Sequence, residues 1–142
     1  MAEQALEGQT LRGSGRLVDY SNFVKLPHTL FALPFALVGA TLASYRFAVQ
    51  PLQLVWIVLA FTAARFAAMG FNRIVDRQID AKNPRTRMRE IPSGKLSVAQ
   101  ARLAVALASA LFLFSAGMLN RFCLLLAPFA LAWVFFYSYT KR

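Results

Sequence analysis

The chain has 142 residues, 58% of them hydrophobic and 15% charged, with a formal net charge of +10. About a quarter of the residues of a soluble domain are charged; here the few charges are bunched between long apolar stretches, which excludes a water-soluble globular fold. The basic excess does not read as a nucleic-acid face either, because eight of the sixteen Lys and Arg fall between Arg73 and Arg102, the pattern of a cytoplasmic loop in a membrane protein.

Residues 1–22 are polar and lack the apolar core of a signal peptide, so they read as a cytoplasmic lead-in. The first span is expected at 26–45, with Pro27 at its start and Pro34 bending its interior. The second is expected at 51–71, opened by Pro51 in the first turn and carrying alanines at 60, 63, 64, 67 and 68. Those alanines, and Gly39 in the first span, permit close helix packing. A basic connection over about 72–97 leads to a third span at 98–118 and a fourth at 122–139, separated by little more than Asn120 and Arg121. Each stretch is near the ~20 residues needed to cross a bilayer. The expected fold is therefore all-α, a polytopic transmembrane helical bundle of about four spans, with 23–142 as its membrane part.

Loop charge gives the orientation. Arg12, Arg16 and Lys25 precede the first span, the central connection is rich in Arg, and Lys141 and Arg142 follow the last span. The other two connections carry Arg46 and Arg121 alone. Both termini and the central loop are thus expected on the cytoplasmic side of the inner membrane.

The chemistry-bearing residues sit where the second span ends. Asn72, Asp76 and Asp80 are spaced i, i+4, i+8 and share one helical face, with Arg65 seven residues earlier almost in line. Arg65 lies inside the span, where an unpaired charge is costly and marks a partner. An amide and two carboxylates are hard oxygen donors, suited to Mg2+ held together with substrate phosphates. The surrounding arginines, Arg73 among them, have the planar fork that fits a diphosphate. The same spacing also suits plain interfacial ion pairs, Asp76 with Arg73 or Arg77 and Asp80 with Arg77. The second reading is then a non-catalytic membrane protein, a transporter subunit or assembly factor, with a structural charged stripe. Near the C-terminus Tyr137 and Lys141 stand four apart on one face; they suit a diphosphate, or simply an interface anchor. His28, the single histidine, reads as a helix-start residue, and the lone Cys123 offers neither a disulfide nor a thiolate metal site. Phe31 and Phe35 could line a groove for an apolar chain.

The segments LPHTLFALPFALVGA, RFAAMGFNRIVDRQIDAKNPRTRMREIPSGKLS and YSYTKR resemble the N-terminal part of the UbiA superfamily of intramembrane prenyltransferases, over about Tyr20–Arg142. The branch they look most like is 4-hydroxybenzoate polyprenyltransferase, of quinone (ubiquinone) biosynthesis. The resemblance implies a Mg2+-dependent transfer of a prenyl group from polyprenyl diphosphate to an aromatic acceptor such as 4-hydroxybenzoate. It implies Asn72, Asp76 and Asp80 as the metal-binding and catalytic set, and Arg65, Arg73, Tyr137 and Lys141 as diphosphate contacts. It also implies about nine helices and a second aspartate-rich motif, whereas the last acidic residue here is Glu90. The remaining helices are therefore expected from a C-terminal half or a second chain.

Overall fold

The computed structural model describes residues 15–140, with the side chains of 26–32 left out. Lys141, and Arg12 of the lead-in, lie outside the described residues, as do the side chains of His28 and Phe31. Among the described residues five helices follow one another: α1 Arg16–Phe23, α2 Leu26–Ser44, α3 Pro51–Lys82, α4 Val98–Leu119 and α5 Arg121–Thr140. The protein is an all-α, polytopic membrane bundle; α3, α4 and α5 are long and apolar enough to cross a bilayer, and α2 supplies a further apolar helix of 19 residues.

Local sequence sets the helix ends. Gln50 and Gln53 form a reciprocal capping box at the start of α3, and Ser97 and Gln100 do the same for α4, satisfying backbone N–H groups that a helix start leaves open. Between α4 and α5 the hairpin is one residue long: Asn120 is extended, and its Oδ1 accepts from the Cys123 N–H at 2.8 Å. Between α1 and α2 the chain turns at Lys25, which takes a left-handed φ of 49°.

The membrane span was expected over 51–71, with the helical pattern running on into the basic connection of 72–97, and α3 does continue to Lys82, a helix of 32 residues. At 1.5 Å per residue it is about 48 Å long, against about 30 Å of hydrocarbon, so roughly its last third stands beyond the apolar layer. The extension persists because the loop folds back onto it. In residues 83–97 successive turns close with Arg87 N–H to Asn83 O at 2.9 Å, Ser93 N–H to Arg89 O at 2.9 Å and Leu96 N–H to Glu90 O at 2.9 Å. Thr86 also donates its hydroxyl to the Asp80 carbonyl at 3.1 Å, beside the Asn83 N–H that closes the helix end.

The core gathers at this loop end, where Phe23, Val24, Ala67, Ile74, Leu96, Ala101, Val105 and Leu131 are buried together. Ala60, Ala63, Ala67 and Gly70 are the buried positions of the membrane half of α3. Gly70 is the tightest: a Cβ there would lie 2.7 Å from Val105 Cγ2 and 3.0 Å from Phe23 Cε1. Gly39 does not share that role, since a Cβ on it would meet nothing within 4 Å. Phe129, Trp133 and Phe35 are 73–79% exposed, as large apolar residues facing lipid or a further helix would be.

Candidate functional site

At the loop end of α3 the described residues include Asp80–Arg89 and Arg73–Glu90 pairs, both made to the folded-back loop. Arg89 Nη1 donates to both carboxylate oxygens of Asp80 at 2.8 Å, and the Asp80 side chain is nearly inaccessible. Arg73 Nη1 lies 3.5 Å from Glu90 Oε2, with both side chains buried and neither of those atoms hydrogen-bonded. Asp80 is thus paired nine residues ahead along the chain, with Arg89, instead of with Arg77 one turn back. Arg73 faces Glu90 from its buried side of α3. Neither arrangement could be read from helical spacing, because both partners reach α3 through the turns of 83–97.

Asn72 and Asp76 stand on the next face of α3, half-buried. Asn72 lines a cavity of about 200 Å3 together with Met69 of α3 and Tyr137 and Ser138 of α5. The structure therefore brings Tyr137 of the C-terminal motif to Asn72 of the central one, across a gap of ligand-group size. Arg65 is half-buried deeper in α3, about 10 Å further along the axis by helical rise; its Nε is buried without a hydrogen-bond partner among the described residues. Phe35, offered from sequence as a groove residue, is 79% exposed on α2.

Sequence reasoning counted Lys25 as a lead-in charge, Arg89 as one of the arginines around the stripe and Glu90 as the last acidic residue, and did not bring the three together. Lys25 is held below the usual lysine pKa, first by desolvation and then by the positive charges of Arg73, Arg89 and Arg85, with Glu90 opposing. The α1–α2 turn thus adds a cation to a place already rich in them. Its left-handed backbone gave no signal in the sequence, since lysine has no preference for that conformation.

The donors present suit a hard divalent cation in part. Asn72 and Asp76, one turn apart, supply amide and carboxylate oxygens, and such ions commonly take one or two carboxylates plus substrate phosphates. Asp80 already has both oxygens engaged with Arg89. Among the described residues no three His, Cys, Asp or Glu converge as a self-sufficient cage.

A multi-helix membrane bundle with hard oxygen donors and a cation cluster at one end of a long helix defines a class: polytopic integral membrane proteins with a charged site at one face. The profile of the UbiA prenyltransferase family matches residues 32–142, and the chain belongs to that family. It is 38% identical over 117 residues to a protoheme IX farnesyltransferase of Gloeobacter violaceus, a match covering 82% of this chain and 38% of that protein. A second protoheme IX farnesyltransferase, from Microcystis aeruginosa, is 35% identical over 126 residues, covering 79% of this chain and 40% of the other. The apo structure of a UbiA homolog from Aeropyrum pernix K1 superposes with a TM-score of 0.76 at 40% identity, covering 82% of this chain and 42% of that one. The chain thus spans about 40% of the length of these relatives. Family members generally use Mg2+.

These relatives overturn the expected kinship with 4-hydroxybenzoate polyprenyltransferase and with ubiquinone biosynthesis: both curated matches are named for protoheme. The physical reason for the misreading is plain. The segments that carried it surround residues expected to meet a diphosphate, which every prenyl donor shares, so they say nothing about the acceptor.

Proposed function

We propose that these residues form the donor-binding part of a membrane prenyltransferase, which transfers a farnesyl-type group from its diphosphate to protoheme IX. One observation carries the donor half of the reading: Asn72 and Asp76 share the α3 face that meets Tyr137, beside the Lys25, Arg73 and Arg89 cation cluster. The acceptor half rests on the names of the relatives alone. The site lies on the cytoplasmic side of the inner membrane in this reading, with the lead-in, the 83–97 loop and the C-terminal end facing the cytoplasm.

In the reaction the allylic C–O bond breaks, the diphosphate leaves with the electron pair, an electron-rich carbon of the acceptor takes the prenyl cation, and the positive charge left on the acceptor is quenched by water with loss of a proton. Bound Mg2+ would supply charge neutralisation at the leaving oxygens. Asn72 and Asp76 would hold it, and Asp80 would join them by exchanging out of its pair with Arg89. Tyr137 of α5, with Lys141 further along the chain, would donate to the diphosphate. Arg73, Arg89 and Lys25 supply a fixed positive field where negative charge grows, which favours the ionised state over the intact ester. Arg65, deeper in the span, offers a cation to an anionic group of a substrate seated within the bundle.

The buried pairs Asp80–Arg89 and Arg73–Glu90 favour the second reading, in which the stripe only fastens the loop. Thermal unfolding of the full-length protein in detergent separates the two. The transferase reading expects little stabilisation by Mg2+ or farnesyl diphosphate singly and a joint stabilisation of about 2–3 kcal/mol at a hundredfold excess over Kd. Asp76→Ala should remove that stabilisation and lower transfer to protoheme IX by at least about a hundredfold. A structural stripe predicts no joint effect. Donor stabilisation without transfer to protoheme IX would leave the donor reading standing and sink the acceptor.

A further inference from the structure

A second, larger cavity opens where the loop-side ends of α3, α4 and α5 part. It holds about 560 Å3, within the ~300–1,000 Å3 of ordinary ligand pockets, and shares no lining residue with the cavity of Asn72 and Tyr137. Its α3 wall is Phe71, Ile74, Val75 and Gln78. On a helix turning 100° per residue this stripe is centred roughly 150° away from Asn72, Asp76 and Asp80. Whatever fills it is not the diphosphate held by those residues.

Its chemistry is divided by level. At the rim stand Arg77 and Gln78 of α3, Arg102 of α4 and Tyr139 of α5; among the described residues lining the cavity none is acidic. Arg77 is anchored to the wall by Nη1 donating to the Ile74 carbonyl at 2.8 Å, which leaves the rest of its fork for an anion. Neither Arg77 nor Arg102 takes part in the Arg73–Glu90 or Arg89–Asp80 pair. Below the rim the walls are apolar but for Ser109, whose hydroxyl is donated to the Val105 carbonyl. Phe71 stacks on Phe135 with ring centroids 4.2 Å apart, and Tyr139 meets Phe71 edge-on at 5.9 Å. Two guanidinium groups above an aromatic floor fit a molecule with an anionic head and an apolar tail.

Position selects among such molecules. The helix-length argument puts the rim at the boundary between hydrocarbon and water. A tyrosine there is an interface residue, and basic pockets between helices at the cytoplasmic face accept lipid headgroups. We propose that this cleft binds the phosphate headgroup of an anionic phospholipid through Arg77 and Arg102, with the first part of an acyl chain against Phe71 and Phe135.

The test is the phosphatidylglycerol retained by the full-length protein after detergent exchange, counted by native mass spectrometry. Arg102→Gln is expected to cut retention about tenfold, the worth of one charge-assisted hydrogen bond, and Arg102→Lys to keep most of it. Ala106→Phe, which fills the cleft without touching charge, is expected to cut it similarly. An unchanged melting profile in purely zwitterionic lipid and unchanged stabilisation by Mg2+ with farnesyl diphosphate show that each variant is folded. Wild-type retention in both Arg102→Gln and Ala106→Phe overturns the proposal. Loss in Arg102→Gln alone also overturns it, because that is attraction to a charged surface without a cleft. Displacement of the lipid by millimolar inorganic phosphate would reassign the site to a free anion.

Discussion

The two halves of α3 are held by different forces. In the membrane half the contacts are steric: Ala60, Ala63, Ala67 and Gly70 are buried, and their small size sets how closely other helices approach. Beyond the hydrocarbon the same helix is held by charge, through Arg73 to Glu90 and Asp80 to Arg89, both partners lying on a loop that turns back over it. Within lipid, tails compete equally for any apolar surface, so close shape is what distinguishes one helix partner from another. At the water-facing end a loop of mostly polar residues needs directional partners to stay in place. The candidate site occupies the changeover, where α3 brings Asn72 to the cavity it shares with Tyr137 and is polar enough to suit the proposed diphosphate.

If this division holds, the largest effect on stability belongs to the charged half. Glu90→Gln leaves the buried Arg73 guanidinium without its counter-charge, and breaking one side of a buried pair costs about 3–5 kcal/mol. Because Arg73 and Glu90 approach to 3.5 Å without a hydrogen bond between those atoms, the lower end is expected. The double replacement Arg73→Met with Glu90→Leu should recover most of the loss, since the pair as a whole adds little over an apolar filling. Equal melting temperatures for Glu90→Gln and the parent would show that the loop is not fastened there. In the steric half Gly70→Ala is expected to cost about 1–2 kcal/mol. Overpacking against Val105 and Phe23 takes about 1–3 kcal/mol, and the better helix propensity of alanine returns up to about 1 kcal/mol. Gly39→Ala is the control, since nothing within 4 Å opposes its Cβ and propensity alone should stabilise it slightly. Similar melting shifts for the two glycines would erase the steric account of α3.

The same division explains what was legible in the sequence. Apolar runs and the small-residue stripe follow from solvent and helix period, so the bundle, Ala60–Ala67 and the one-residue turn at Asn120 stand open to reading. The i, i+4 face of Asn72 and Asp76 is legible for the same reason. Partner choice in the charged half is not, because Asp80 has arginines at several spacings and only the turns between Asn83 and Leu96 decide that Arg89 reaches it. Where α3 stops was not legible either: the helical face of Asn72, Asp76 and Asp80 runs on past the span, and nothing in its period sets the end at Lys82. The acceptor was misread because diphosphate chemistry is common to the whole family.

Lys25 offers the finest probe of the charged half, with the smallest effect. Its folded pKa is lowered, by desolvation first and then by Arg73, Arg89 and Arg85. Between that lowered value and the ordinary lysine value the unfolded chain binds more protons than the folded one. Stability must therefore rise with pH across that window, and below it the buried positive charge is a constant burden. Lys25 remains partly open to solvent, so the effect should be no more than a few tenths of a kcal/mol. Melting temperature measured against pH on the alkaline side should climb in the parent and lose that climb in Lys25→Met. Bound diphosphate should flatten it as well, because an anion among these cations favours the charged ammonium and raises its pKa again. A slope that persists in Lys25→Met would assign the titration to another group. A slope that farnesyl diphosphate with Mg2+ leaves untouched would place the donor phosphates away from the α1–α2 turn, and would confine the site to the face of Asn72 and Asp76.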